Sequence, residues 1–183
     1  MRKTTDLSAF RNHHFKPGGF LKRGIWYLVN FMIFDSAWIP FSYLKVLILR
    51  FFGAKVGKHV VIKPNVNIKY PWFLEIGNHT WIGEKVWIDN LGKVSIGDNC
   101  CISQGAMLLT GNHNYKKPTF DLVVEPIHLE DGVWVGAQSV VCPGVRCENH
   151  SVLTVGSVAT RNLKSYSIHQ GNPAKSLKSR EIH

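Results

Sequence analysis

Between Val56 and about Thr160, aliphatic residues return every six positions. The series runs Val56, Ile62, Ile68, then Ile76, Ile82, Ile88, then Ile96, Ile102, Leu108. After a break at Gly111–Pro126 it resumes with Leu129, Val135, Val141, Cys147 and Leu153. The next residue is often small or polar, as at Gly57, Gly77, Gly83, Gly97, Ser103 and Gly136. The residue four places on is usually small or β-branched: Val60, Val66, Thr80, Val86, Cys100, Ala106, Val133, Ser139, Val145, Ser151 and Ser157. A short fixed period of this kind marks a repeat architecture. It predicts a parallel β-helix with triangular coils, in which each six-residue unit is one short strand plus a corner. The aliphatic points into the prism, and so does the small residue four later, where a larger side chain does not fit. Coils stack at the strand-pairing distance of about 4.8 Å, so some five coils give a prism roughly 25 Å tall, each stabilised by its neighbours. A sandwich of alternating strands would show period two with turn signals at longer spacing. Fourteen positions at six-residue spacing, interrupted only at two longer corners and the loop, argue against it.

The rest of the chain divides around this stretch. Residues 1–52 read as an irregular arm to Gly19 followed by an apolar helical extension. Residues 53–165 are the β-helix with its loop at 111–126, and residues 166–183 are a C-terminal tail. The register slips by two residues at Trp72–Glu75 and near Lys93–Ser95, which marks longer corners. The 111–126 break is a loop leaving a rigid repeat, a common seat of function. Phe20 to Phe52 is dominated by apolar residues, and Pro40 after Asp35-Ser36 splits it into two helices. Neither half reaches the twenty or so apolar residues that span a bilayer. Two compatible readings stand. One is a cap over the open end of the prism. The other is an interfacial membrane anchor, with Lys22, Arg23, Lys45 and Arg50 at its flanks.

Composition adds a partner class. Lys and Arg exceed Asp and Glu by ten among 183 residues, which points to an anionic partner. The basic residues are spread over both ends and form no nucleic-acid-binding module, so no nucleic acid is expected. The four cysteines, Cys100, Cys101, Cys142 and Cys147, form no CxxC pair. Cys100 and Cys147 fall at inward repeat positions, as small hydrophobes of a reducing cytosol. The first twenty residues are polar and basic with no apolar centre, so no cleavable signal is expected. The expected location is cytoplasmic, at the inner face of the membrane if the helices lie on it.

Three segments carry a resemblance. They are Leu109-Thr110-Gly111-Asn112-His113 entering the loop, Gly132-Val133-Trp134-Val135-Gly136-Ala137 after it, and Gly171-Asn172-Pro173-Ala174-Lys175 in the tail. Over residues 56–178 the chain resembles the hexapeptide-repeat acyltransferases, which form left-handed parallel β-helices and use acetyl-CoA. Within that family, Ile102-Ser103-Gln104-Gly105-Ala106 and His113-Asn114-Tyr115 with Pro118 and Phe120 look most like colanic acid biosynthesis acetyltransferases. The apolar N-terminal extension fits that subgroup too. The acetyltransferases of galactosides or maltose typically carry a loop Arg that is absent here.

The resemblance implies a homotrimeric, acetyl-CoA-dependent O-acetyltransferase with no metal, acting on a sugar hydroxyl of an exopolysaccharide precursor. Acetylation of a small free saccharide or other small acceptor is the alternative. His113 is the candidate general base, because imidazole titrates near neutral pH and the family histidine at this position has that role. It is one of nine histidines, and residue type alone does not single it out. The family places a backbone N–H at Gly136–Ala137 against the thioester carbonyl. Trp134, Val155, Thr160 and Arg161 match positions along the CoA channel, and Lys175 and Lys178 match basic tail positions that meet its phosphates. Asp89, Asn90 and Tyr115 are candidates for the acceptor side, with a plain polar corner as the alternative at Asp89-Asn90. No Cys or Ser stands beside His113 as an obvious nucleophile, so direct transfer is expected. A zinc carbonic anhydrase on the same fold needs three histidines. The loop offers only His113, and His128 lies too far along to complete a pair. A non-enzymatic scaffold predicts regular Thr faces and no loop insertion.

Overall fold

The computed structural model describes residues 4–183. Two helices precede a parallel β-helix of five complete coils and a partial sixth. The first face of the prism stacks Lys55–Val56, Leu74–Ile76, Val94–Ile96, Ile127–Leu129 and Arg146–Cys147. The second stacks Val61–Ile62, Trp81–Ile82, Cys101–Ile102, Trp134–Val135 and Val152–Leu153. The third stacks Asn67–Ile68, Trp87–Asp89, Met107–Leu109, Val140–Val141 and Val158–Ala159. All the pairings between coils are parallel and in register with the six-residue series, for example Ile62 with Ile82 and Ile82 with Ile102. The slip after Ile68 is a 3-10 turn at Pro71–Phe73.

The core follows the period. Ile62, Ile88, Ile102, Leu108, Val135 and Val141 have at most 1% of their surface exposed, as do the small positions Val66, Val86, Ala106 and Ser139. Two polar residues at the small positions are paired across coils, whereas the buried Ser151 Oγ has no partner among the described residues. Thr80 Oγ1 donates to the Gly97 carbonyl at 2.8 Å and Ser139 Oγ to that of Thr154 at 2.7 Å. A buried hydroxyl without such a partner would cost about 1–3 kcal/mol. The fully buried Ala106 has no room to grow, so Ala106→Leu should destabilise by about 1–3 kcal/mol in a thermal or denaturant melt.

The first edge, between the first and second faces, turns on one left-handed residue per coil: His59, His79, Asn99, Gly132, His150 and Tyr166. Beside them runs a ladder of carboxamides and carboxylates. Asn78 Oδ1 accepts from Lys58 N, Asp98 Oδ1 from Asn78 N, and Asp131 Oδ1 from Asp98 N. The amide and side chain of Asn78 hold the Asp98 carboxyl below its ordinary value.

The N-terminal helices form a cap. Helix α1 is Phe20–Val29, continued by a π-helical turn at Asn30–Phe34, and α2 is Ser42–Phe51. Trp26, Phe34, Val46, Leu49 and Phe52 are buried in the same core as the first coil. The polar side chains of the helices take the place of a preceding coil. On the third face Asn30 Oδ1 accepts from Ile68 N at 3.1 Å, and Trp26 Nε1 donates to Ile68 O at 2.8 Å. On the second face Ser42 Oγ accepts from Ile62 N, and Lys45 Nζ donates to Lys63 O at 2.9 Å. On the first face Arg50 donates to Val56 O and Gly57 O. The open edges of all three sheets are closed in this way, as exposed strand edges must be.

This corrects the expectation for the flanking cations. Lys45 is fully buried and its ammonium is pushed down by desolvation. Arg50 is bound to backbone carbonyls, and Lys22 lies 4.4 Å over the Trp72 ring. Lys45 and Arg50 serve the prism, not a lipid surface. The outer side of the helices remains strongly apolar: Phe20, Leu21, Tyr27, Phe31, Met32, Trp38, Phe41, Tyr43 and Phe51 are all exposed. Among the described residues no helix is long and apolar enough to cross a membrane.

The C-terminal residues continue the second face further than the sequence period suggests. Ser167–Gly171 pairs in parallel with Val152–Leu153, then folds back on Ala174–Ser179. Burial holds His169 below the usual imidazole value of 6.5, and burial, then Arg146, does the same for His128. A group whose folded pKa is depressed takes up its proton in the unfolded state first. Stability should therefore fall as pH drops below about 6.5, a trend that melting temperatures between pH 8 and 5 will show or refute.

Candidate active site

The break in the six-residue series is a hairpin on the third edge of the prism. Gly111–His113 pairs antiparallel with Leu122–Val124. Its tip is ordered by an Asx turn from Asn114 Oδ1 to Lys116 N and by a Lys117–Asp121 ion pair at 2.9 Å. Tyr115 stands exposed at this tip. His113 sits half-buried in the first strand of the hairpin. Its Nδ1 lies 2.9 Å from the Phe120 carbonyl oxygen. A carbonyl only accepts, so Nδ1 carries the proton and donates. Nε2 then keeps its lone pair, the form a base requires. Phe120 adopts φ 50°, a left-handed value that is uncommon for a bulky residue. Its ring stacks on the imidazole with centroids 4.4 Å apart, and Phe10 of the N-terminal arm lies 5.9 Å from the other ring. The arm is tied to the hairpin by Asp6 N donating to Pro118 O and by His14 Nε2 at 3.2 Å from Leu122 O. The sequence reading missed Phe10 and the role of the arm, and it signalled Phe120 only as part of a motif.

A groove of about 430 Å³ lies on the second edge, lined by Ser103, Gln104, Trp134, Gly136, Ala137 and Val155 among others. Trp134 is half-exposed and its indole N–H donates to Ser103 Oγ at 2.9 Å. Gly136 and Ala137, taken together as the donor of the thioester contact, separate here. The Gly136 N–H donates to Leu153 O at 2.7 Å within the coil ladder, so it is not free. The Ala137 N–H has no partner among the described residues and is half-exposed in the groove. Gly136 has a different role. A Cβ there would meet Val155 N at 2.6 Å and Leu153 O at 2.7 Å, so only glycine lets the groove floor lie this close. Ser103 and Gln104 were signalled in the sequence only as part of a motif.

The remaining candidates fall in several places. Lys175 pairs with Gln170 at the groove end of the tail hairpin, near where Gly171 N meets Ser157 Oγ. Lys178 pairs with Ile168, toward the far edge. Thr160 and Arg161 are exposed on the third edge, two coils beyond the loop of His113. Asp89 forms a 3.1 Å ion pair with Lys69. Asn90 is a correction. It is fully buried, its Oδ1 accepts from Tyr70 N, and its Nδ2 donates to Tyr70 O. Both ends of the amide are occupied, so it is a strut between corners and not an acceptor contact. Among the described residues no group of three or more His, Cys, Asp or Glu is placed to hold a metal ion.

No family model matches the chain. It is 35% identical over 178 residues to the putative colanic acid biosynthesis acetyltransferase WcaF of Escherichia coli, covering 96% of this chain and 97% of the relative. It is 27% identical over 128 residues to the galactoside O-acetyltransferase of Escherichia coli, covering 68% of this chain and 63% of the relative. Among solved structures, the hexapeptide-repeat acetyltransferase VCA0836 of Vibrio cholerae in complex with acetyl-CoA aligns with a TM-score of 0.81 at 20% identity. That alignment covers 96% of this chain and 97% of that one. The chain belongs to the hexapeptide-repeat acetyltransferase family and is an acetyl-CoA-dependent acyltransferase.

Proposed function

We propose that this protein moves an acetyl group from acetyl-CoA to a hydroxyl of a saccharide in an exopolysaccharide precursor, with His113 as general base. The observation that carries this reading is the Nδ1 contact with Phe120 O, which leaves Nε2 available to take the hydroxyl proton. The alkoxide attacks the thioester carbonyl directly. The oxygen of the tetrahedral intermediate is held by the free Ala137 N–H, and CoA leaves as the thiol after protonation by the imidazolium. The saccharide class rests on the similarity to WcaF and to the galactoside enzyme.

His113 and Ala137 lie on different edges of one prism, a full face apart. One thioester cannot meet both within a single chain, so the site is completed between subunits, as in the homotrimer that the family resemblance implies, with the third edge of one subunit against the second edge of the next. Trp134 and Val155 flank the pantetheine arm, and Lys175, with Lys178 behind it, meets the phosphates. Thr160 and Arg161 approach from the histidine side. Lys175→Ala should weaken CoA more than dephospho-CoA, and the loss should shrink at high salt. Equal losses for both nucleotides would remove Lys175 from phosphate binding.

The exposed apolar side of the two helices supports a peripheral membrane site for the enzyme, since an interfacial helix buries such a face in the headgroup region. With Lys45 and Arg50 engaged in the cap, this association rests on aromatic and aliphatic contact more than on charge. Co-sedimentation with liposomes should therefore persist largely in salt. Protein that stays wholly in the supernatant with both neutral and anionic vesicles would refute it.

A further inference from the structure

A cavity of about 440 Å³ opens between α1 and the third face, against the first two coils. It shares no residue with the groove on the second edge. Tyr27, Tyr70 and Trp87 offer aromatic surface to it, and Arg23 and Lys69 offer charge. Arg23 is half-buried, yet its guanidinium makes no hydrogen bond or ion pair with any described residue, and its Nε is shielded from solvent. Nε is thus desolvated without a partner while the terminal nitrogens stay open to the cavity, and the planar fork they form is suited to a carboxylate or phosphate. Lys69 has one partner, Asp89, so the cavity keeps net positive charge. Its wall at Lys69-Tyr70 is the corner that leads up the third edge to the hairpin of His113. The corner belongs to the first coil and the hairpin leaves the third, so the two are about 10 Å apart at the coil spacing.

We infer that this cavity is a second acceptor subsite, which holds an anionic sugar unit of the saccharide whose hydroxyl lies at His113. Sugar rings stack on the aromatic walls, and the acid group pairs with Arg23 and Lys69. This rests on the reading of the protein as a saccharide acetyltransferase. The acid group has two sources, a uronic carboxylate within the glycan or the phosphate that links a glycan to a carrier. The cavity opens beside the apolar outer side of α1, where Phe20 and Tyr27 are exposed, so either source is within reach of a membrane-held acceptor.

The test is a ligand-observed NMR titration of the full-length protein, with CoA saturating so that the donor groove is closed to other anions. The probes are glucuronate, glucose 1-phosphate and glucose. At least one anionic sugar should bind about tenfold tighter than glucose, as a charge-assisted pair predicts. Whichever anion gains more identifies the source of the acid group. Arg23→Gln should remove the preference while leaving glucose binding within about twofold, and Lys69→Gln should reduce it. The Arg23 side chain makes no hydrogen bond or ion pair that holds the fold, and an unchanged melting temperature confirms this for the variant. Equal binding of the three probes, or a preference that survives both substitutions, overturns the inference. If His113→Ala abolishes transfer while Arg23→Gln keeps wild-type binding, the subsite is refuted and the proposed function stands. If no saccharide is acetylated yet the Arg23-dependent preference is present, the proposed function fails and the anion site remains.

Discussion

His113→Ala should lower kcat at least about a hundredfold and leave acetyl-CoA affinity within about twofold, because general-base catalysis is of this size and the residues lining the donor groove are left intact. Steady-state kinetics with a saccharide acceptor and direct CoA binding supply the two numbers. The geometry makes the split between them sharp. The donor groove is lined from the second edge by Trp134, Ala137 and Val155, whereas His113 stands on the third. His113→Asn separates position from basicity. Its amide can still donate to the Phe120 carbonyl, but it offers no basic lone pair in place of Nε2. It should be as slow as the alanine variant. Near-wild-type turnover in either variant would remove His113 from the mechanism and direct the search to another base on the third edge.

Deletion of residues 1–52 should abolish soluble folding, which expression and size-exclusion chromatography will show. Without the helices, the parallel strands at Lys55–Val56, Val61–Ile62 and Asn67–Ile68 present unpaired edges, a template for aggregation. The deletion also opens the core, since Trp26, Phe34 and Leu49 cover the first coil and are each at most 2% exposed. A single substitution probes the same device more gently. Asn30→Leu keeps the volume but leaves the Ile68 N–H buried and unpaired, a cost of about 1–3 kcal/mol. For a chain of this size that lowers the melting temperature by several degrees, at about 2–4 °C per kcal/mol. A truncated protein that remains soluble and active would show that the helices are dispensable to the prism. The membrane and cap readings otherwise coexist, since the buried side of α1 closes the prism and the exposed side is free.

The prism was legible in the chain because its cause is local and periodic. Every sixth residue must enter a narrow core, and the residue four later must be small enough to share it. Ile62, Val66, Ile68 and their successors record that steric rule directly, and the break at 111–126 records where it is suspended. The candidate histidine was legible through the resemblance and the break together, not through its residue type.

What the sequence could not decide depends on which polar groups remain after the coils have stacked. Lys45 and Arg50 read as flanking charges, and only the packing of α1 and α2 on the first coil turns them into donors to Lys63, Val56 and Gly57. Asn90 read as a polar candidate near the site, until the stacking of corners twenty residues apart placed both ends of its amide on Tyr70. Gly136 and Ala137 looked equivalent as thioester donors. The coil ladder engages the first N–H and leaves the second free. Hydrophobic periodicity is a property of residues near one another in sequence, so the chain alone determined the β-helix. Hydrogen-bond supply and demand is settled between residues distant in sequence, so only the tertiary structure could assign the cap, the strut, the free N–H and the Phe120 carbonyl that sets the tautomer of His113.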